Sequence, residues 1–92
     1  MKLDIVTPEG SLFSGEVDSI VVPGVNGAFE MLNNHAPIVA ILQKGVITMK
    51  GNNIGIDEHV KERFQIKQNE VTLAINSGTV EMKNNKVIVL AE

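Results

Sequence analysis

The sequence predicts an all-β fold, about ten short strands forming a β-sandwich or flattened barrel in a single domain over residues 1–92. Three observations carry that reading. Apolar and polar residues alternate with period two along many short segments, the pattern of strands with one wet face. Turn-forming pairs such as Gln68-Asn69, Ser77-Gly78 and Asn84-Asn85 separate those segments. No segment carries a long amphipathic helical pattern, and eight to ten strands in 92 residues is the density of a sandwich or barrel.

Taken in order, Lys2–Thr7 is a first strand with Leu3 and Ile5 on one face, ended by Pro8-Glu9-Gly10. Ser11–Phe13 resumes it, Ser14-Gly15 marks a bend or bulge, and Glu16–Val22 continues until Pro23-Gly24 stops the strand, because proline lacks the ladder N–H. Val22–Pro37 then packs two glycines, two prolines and three asparagines into a turn-rich surface loop. Ile38–Gln43 holds apolar residues on both parities, which reads as a strand buried on both faces, although Pro37 also allows one helical turn. Lys44-Gly45 turns into a short strand at Val46–Lys50, and Gly51–Asn53 with Gly55 makes a projecting loop. Val60–Lys67 places Val60, Phe64 and Ile66 on one face. Glu70–Asn76 places Val71, Leu73 and Ile75 inward, and a hairpin at Gln68-Asn69 joins these two strands. Thr79–Lys83 and Lys86–Ala91 form a second hairpin, with Val80, Met82, Val87 and Val89 inward.

Composition removes several function classes. With 43% hydrophobic and 21% charged residues the chain is globular rather than disordered. Three Phe, no Trp and no Tyr leave the core to Val, Ile, Leu and Met. A net charge of −3 without a Lys/Arg stripe argues against nucleic acid. There is no cysteine, so no disulfide framework is expected. The N-terminus has no h-region and no 18-residue apolar run occurs, so neither a signal peptide nor a membrane span is expected.

Motifs for chemistry are missing too. Asp57, Glu58, His59 and His35 are the candidate metal ligands, but consecutive residues cannot all face one ion, and the plainer reading is a solvated charge cluster. Gly24-x-x-Gly27 is not followed by the Lys-Ser or Lys-Thr helix of a phosphate loop. Serines and histidines occur without a nucleophile elbow. Neither catalysis nor a cofactor is expected. What stays is Val22–Pro37 as a contact surface. His35 either hydrogen-bonds its own turn or meets a partner, and Phe29, Met31 and Leu32 are either core or an exposed docking patch.

Several motifs in one order resemble a known family. Val22-Pro23-Gly24-x-x-Gly27-x-Phe29, Leu32-x-Asn34-His35-Ala36-Pro37 and Gly45-Val46 are similar to the N-terminal domain of the epsilon subunit of F-type ATP synthases. So are Leu3-x-Ile5-Val6-Thr7-Pro8-Glu9, Leu12–Val17, Ser77-Gly78-x-Val80-Glu81 and Asn85–Ala91. The resemblance implies a ten-stranded sandwich acting as a non-catalytic rotor subunit of the central stalk. It implies the gamma subunit and the c-ring as partners, with the other catalytic-sector subunits reached through gamma. It places the chain peripherally at the cytoplasmic face of a bacterial inner membrane. By that resemblance Asn26, Gly27, Ala28, Phe29, Glu30, Met31 and Leu32 meet the polar c-ring loops, and Asn34 and His35 lie in the gamma and c-ring region. Glu30 stands where relatives carry Gly and Asn33 where many carry Pro. Gly51–Gln68 is longer than usual and suggests an extended hairpin. The family's C-terminal helical hairpin has no counterpart here, so a natural chain of this length would lack inhibition of ATP hydrolysis and ATP sensing. The alternative is a stand-alone β-sandwich module that binds a protein or small ligand.

Overall fold

Period-two burial organises the whole molecule, a computed structural model of all 92 residues. Ten strands form: β1 (Lys2–Thr7), β2 (Gly10–Glu16), β3 (Ser19–Gly24), β4 (Gly27–Leu32), β5 (Ile38–Leu42), β6 (Gly45–Lys50), β7 (Phe64–Lys67), β8 (Glu70–Ile75), β9 (Gly78–Lys83) and β10 (Lys86–Ala91). They follow one curled path, β2-β1-β10-β9-β5-β3-β6-β8-β7, with β4 paired to β3 alone. The β1–β10 pair is parallel and the others are antiparallel. The path narrows between β5 and β3 to one bridge, Gly24 opposite Leu42. Two backbone bonds reinforce it, Val25 N–H to Ile41 O at 3.0 Å and Gln43 N–H to Pro23 O at 2.9 Å. The sheet thereby divides into two five-stranded halves, β2-β1-β10-β9-β5 and β4-β3-β6-β8-β7.

The core lies between the halves. Leu3, Ile5, Val80, Met82, Val87 and Val89 enter it from one, and Ile20, Val22, Met31, Ile47, Met49, Val71 and Leu73 from the other. Burial of this apolar surface is the main driving force of the fold. Thr7 and Ser19 are the buried polar residues, and no buried side-chain polar atom lacks a partner.

Most strand boundaries agree with the alternation, and the two Asn-bearing hairpins form as expected. Asn69 adopts φ 63°, and Asn84 and Asn85 adopt φ 52° and 61°, the left-handed values that favour asparagine in such turns. Five expectations need correction. β2 runs unbroken through Ser14 and Gly15, because the Phe13 ring folds back over residue 15, where a Cβ would stand 3.0 Å from it. The irregularity lies earlier, where Ile5 pairs Phe13 but Val6 pairs Ser11; the skipped Leu12 is a bulge, so Leu12 and Phe13 are both buried. Pro23-Gly24 does not end its strand. Pro23 sits where β3 exchanges β6 for β5 as neighbour, so its missing N–H breaks no ladder.

The last three corrections concern the middle of the chain. Pro37 starts no helical turn, and β5 is buried on one face only, because its other face has no covering layer. Val60 is not in a strand: Lys61–Arg63 is a 3-10 turn, and β7 keeps four residues. Gly51–Gln68 is not an extended hairpin. Its first part folds back, and Ile54, Ile56 and Val60 pack against the core, which gains more apolar burial than a projecting hairpin would.

The one-sided burial of β5 separates two neighbouring residues. Leu42→Ala, at a position 2% exposed, should cost about 2–5 kcal/mol in urea unfolding. Ile41→Ala, at an exposed position, should stay within about 0.5 kcal/mol of the parent.

Candidate protein-contact site

The stretch expected as a loop is chiefly a β-hairpin. β3 and β4 pair from Ser19–Leu32 to Gly24–Gly27, around a tip at Val25-Asn26. Gly27 takes φ 120°, where an L side chain is strained, and closes the turn into β4. β4 pairs only with β3, so its far edge is open. Alternation along β4 then sorts the candidate residues. Ala28, Glu30 and Leu32 are exposed, as are Asn26 and Gly27 at the tip, while Phe29 is half-buried and packs on the core. Met31 is fully buried and belongs to the core, which corrects its expectation as a contact residue: it lies opposite Ile20, on the inward face of the hairpin. Glu30 stands 3.6 Å from Lys50, an exposed pair of little energetic weight.

Asn34 and His35 lie beyond the other end of β4. Asn34 takes φ 62°, and its N–H donates to Asn85 Oδ1 at 2.7 Å, tying this turn to the β9–β10 hairpin. Asn33 Oδ1 accepts from the Met1 ammonium at 2.6 Å, and the same ammonium donates to Val17 O at 2.9 Å. His35 is exposed; its N–H donates to Leu32 O at 3.0 Å and its Nδ1 to Ala36 O at 2.8 Å. The candidate residues therefore form a tip, an edge strand and a distal turn rather than one cluster.

A second surface was not expected from the residues. On the outer face of β5, Val39 is 74% and Ile41 63% exposed, and on β10 Ile88 is 43% and Leu90 52% exposed. Strand β9 lies between them, giving the rows Ile41–Thr79–Leu90 and Val39–Glu81–Ile88. Two grooves border this grid. One, of about 600 Å³, runs beside Val6, Ile41 and Leu90. The other, of about 680 Å³, separates β5 from the hairpin and is lined by Val25, Asn26, Ala28 and Phe29 on one side and Val39 and Ile41 on the other. The residues carried only a partial signal, apolar Val39 and Ile41 in one segment and Ile88 and Leu90 in another, without the strand order that makes them neighbours; an uncovered apolar patch of this kind is a candidate contact surface.

The charged cluster in the 51–63 segment is occupied locally. Asp57 Oδ1 accepts from the His59 N–H at 2.8 Å and from His59 Nδ1 at 2.9 Å, and Glu58 reaches Lys61 at 3.5 Å. The backbone bond from His59, then its side-chain bond, hold the Asp57 carboxyl below the ordinary aspartate value. No helix is long and apolar enough to cross a membrane.

The whole chain is similar to proteins of one family. Residues 1–92 match the family model described as ATP synthase, Delta/Epsilon chain, beta-sandwich domain. The ATP synthase epsilon chain of Chlorobaculum tepidum is 37% identical over 90 residues, covering 98% of this chain and 86% of the relative. That of Campylobacter curvus is 35% identical over 92 residues, covering 100% of this chain and 60% of the relative. Among solved structures, the central stalk/c-ring of the Tetrahymena thermophila mitochondrial ATP synthase contains a chain with the same fold. The TM-score is 0.72 at 11% identity, over 99% of this chain and 62% of that one.

Two tests follow from the geometry. Met31→Asp should abolish the sandwich circular-dichroism signal, because it buries an unpaired charge, whereas Leu32→Asp should leave it unchanged. The Asp57 carboxyl, followed by NMR, should titrate below the ordinary aspartate value and move back toward it in His59→Ala. Because the folded value is lowered, the contact stabilises above the ordinary aspartate value and is lost as pH falls through the lowered one.

Proposed function

The chain belongs to the ATP synthase delta/epsilon-chain family as its β-sandwich domain, and from that membership we propose that it joins the gamma subunit to the c-ring in the central stalk. An epsilon chain is a non-catalytic subunit, so the protein is not an enzyme by itself. Its work is contact, and the observation that carries this reading is the uncovered apolar grid of Val39, Ile41, Ile88 and Leu90 on the outer face of β5, β9 and β10.

The two surfaces differ in chemistry, and the partners divide accordingly. The grid is apolar with polar residues of β9 between its columns, the composition of a lasting protein–protein contact. It is assigned to gamma. Covering these four partly exposed side chains contributes roughly 1 kcal/mol each. The hairpin is of mixed character, with Val25, Asn26, Gly27 and Ala28 exposed around its tip and Glu30 exposed further along β4. It is assigned to the polar loops of the c-ring, with the Asn34-His35 turn at the gamma-facing end. Other catalytic-sector subunits are reached through gamma. Attachment to the cytoplasmic face of the inner membrane then passes through the c-ring and needs no membrane span of this chain's own.

The sandwich suits the transmission of torque. Nine strands paired along one path, with β4 joined to β3 and an apolar core between the halves, hold both surfaces in a fixed relation. Force applied at the hairpin reaches β5 through β3 and its bridge at Gly24–Leu42.

Tagged full-length chain, recovered from its own cell's membranes in gentle detergent, should bring down gamma and c-ring subunits. Ile41→Asp or Leu90→Asp should remain folded and lose gamma by roughly tenfold or more in affinity, corresponding to about 1.4 kcal/mol. Recovery of no synthase subunit sinks the reading as a whole. Undiminished recovery of gamma by both variants removes the grid from it.

A further inference from the structure

Asn26 and Gly27 form the one Asn-Gly step among nine asparagines, and they sit at the tip of the β3–β4 hairpin. The turn requires the glycine of this pair, while Asn26 keeps an ordinary backbone angle. Gly27 takes φ 120°, so a side chain there is strained, and asparagine is favoured in the adjoining turn position. Both residues are exposed, and a Cβ placed on Gly27 would meet nothing within 4 Å. Two other asparagine side chains are held, Asn33 by the Met1 ammonium and Asn85 by the Asn34 N–H, and of those left free only Asn26 precedes a glycine. The Asn26 amide makes no such bond.

We infer that Asn26 is a self-modification site, where the side-chain amide converts spontaneously to a carboxylate. The main-chain nitrogen of Gly27 loses its proton to solvent base and attacks Asn26 Cγ. A C–N bond forms, ammonia leaves with the proton it needs, and a five-membered succinimide closes. Glycine favours this step because no Cβ shields the attacking nitrogen. Water then opens one of the two ring carbonyls. Opening at one restores a normal peptide as aspartate; opening at the other routes the main chain through the former side chain as isoaspartate. One water is consumed and one ammonia released, with no oxidation or reduction.

The consequence rests on the proposed role of the hairpin as the c-ring contact. Conversion puts a carboxylate on a tip that already carries Glu30 on the adjoining strand. The isoaspartate form also adds a methylene to the main chain of a two-residue tip, which shifts the closing pair Gly24 opposite Gly27. Both changes oppose docking. A docked tip, in turn, lacks the freedom to close the ring, so conversion marks chains that have stayed free.

Free full-length chain is incubated at neutral and at mildly alkaline pH, and its peptides are mapped by mass spectrometry. Asn26 should convert several-fold faster than every other asparagine, faster at the higher pH, and not at all in Asn26→Gln. Conversion of another asparagine first, or an unmodified Asn26 at the higher pH, overturns the inference. In parallel, chain assembled in native membranes should keep the Asn26 amide longer than free chain, and Asn26→Asp should be retained on those membranes more weakly than Asn26→Gln. Conversion in the free chain with equal retention of the two variants overturns the regulatory consequence and leaves the modification standing. Failure of every form to associate with membranes is instead a failure of the proposed function.

Discussion

The change of partner along β3 is the constraint on which the rest of this fold depends. Its first half, Ser19–Val21, pairs with β6, and its last residue, Gly24, pairs with Leu42 of β5. A strand cannot serve two neighbours on one edge unless the ladder stops between them. Pro23 stands at that stop, contributing a carbonyl to Gln43 and no donor that would be left unpaired. This single handover folds ten strands into two facing halves and encloses the apolar core. It also fixes what is left outside. Because β5 meets only the end of β3, the β3–β4 hairpin runs past it, and a groove opens between β5 and the hairpin.

The same geometry explains why the two proposed contact surfaces, of unlike character, lie close together. On the hairpin, alternation sends Phe29 and Met31 toward the core and leaves Ala28, Glu30 and Leu32 outside. On β5, the run Ile38–Leu42 has apolar residues at every position, so one parity is exposed whichever way the strand is turned. The Lys86–Ala91 strand repeats this with Ile88 and Leu90. Outward apolar residues on two strands of one half add nothing to the sandwich core. Under the proposed function these residues face a partner, whereas Gly27 of the hairpin is explained by the turn it closes.

Legibility in the sequence followed the chemistry of each segment. Glu70–Ile75 and Lys86–Ala91 were readable because their inward parity is uniformly apolar, and Asn84-Asn85 because few residues accept the left-handed backbone that a two-residue turn imposes. Ile38–Leu42 misled because apolar residues on both parities report apolar character without saying what covers it. Ser14-Gly15 misled because a glycine that makes room for the Phe13 ring has the same signature as one that breaks a strand. Met31 shows a different limit. Its neighbours Leu32 and Glu30 are exposed, and only the register with Ile20 decides that it points inward. Of the contact surfaces, the hairpin could be located from its turn residues. The grid could not, since it exists only where β5, β9 and β10 are neighbours, and strand order is a non-local property.

A further step concerns rigidity. For a subunit proposed to pass force between two partners, the weakest link sets what can be transmitted, and here that link is the β5–β3 junction. A single bridge and two reinforcing backbone bonds would be soft if they stood alone. They do not, because Leu42 on one side and Val22 on the other are both buried in the shared core, so opening the junction would expose apolar surface from both halves. A second tie lies at the far end of β4, where the Asn34 N–H reaches Asn85 in the β9–β10 turn. The hairpin is therefore clamped to the opposite half at both of its ends, by packing beside its tip and by a side-chain hydrogen bond at its base. Bending it independently of the grid requires breaking one clamp or the other, and that coupling is what allows two surfaces on different strands to move as one body.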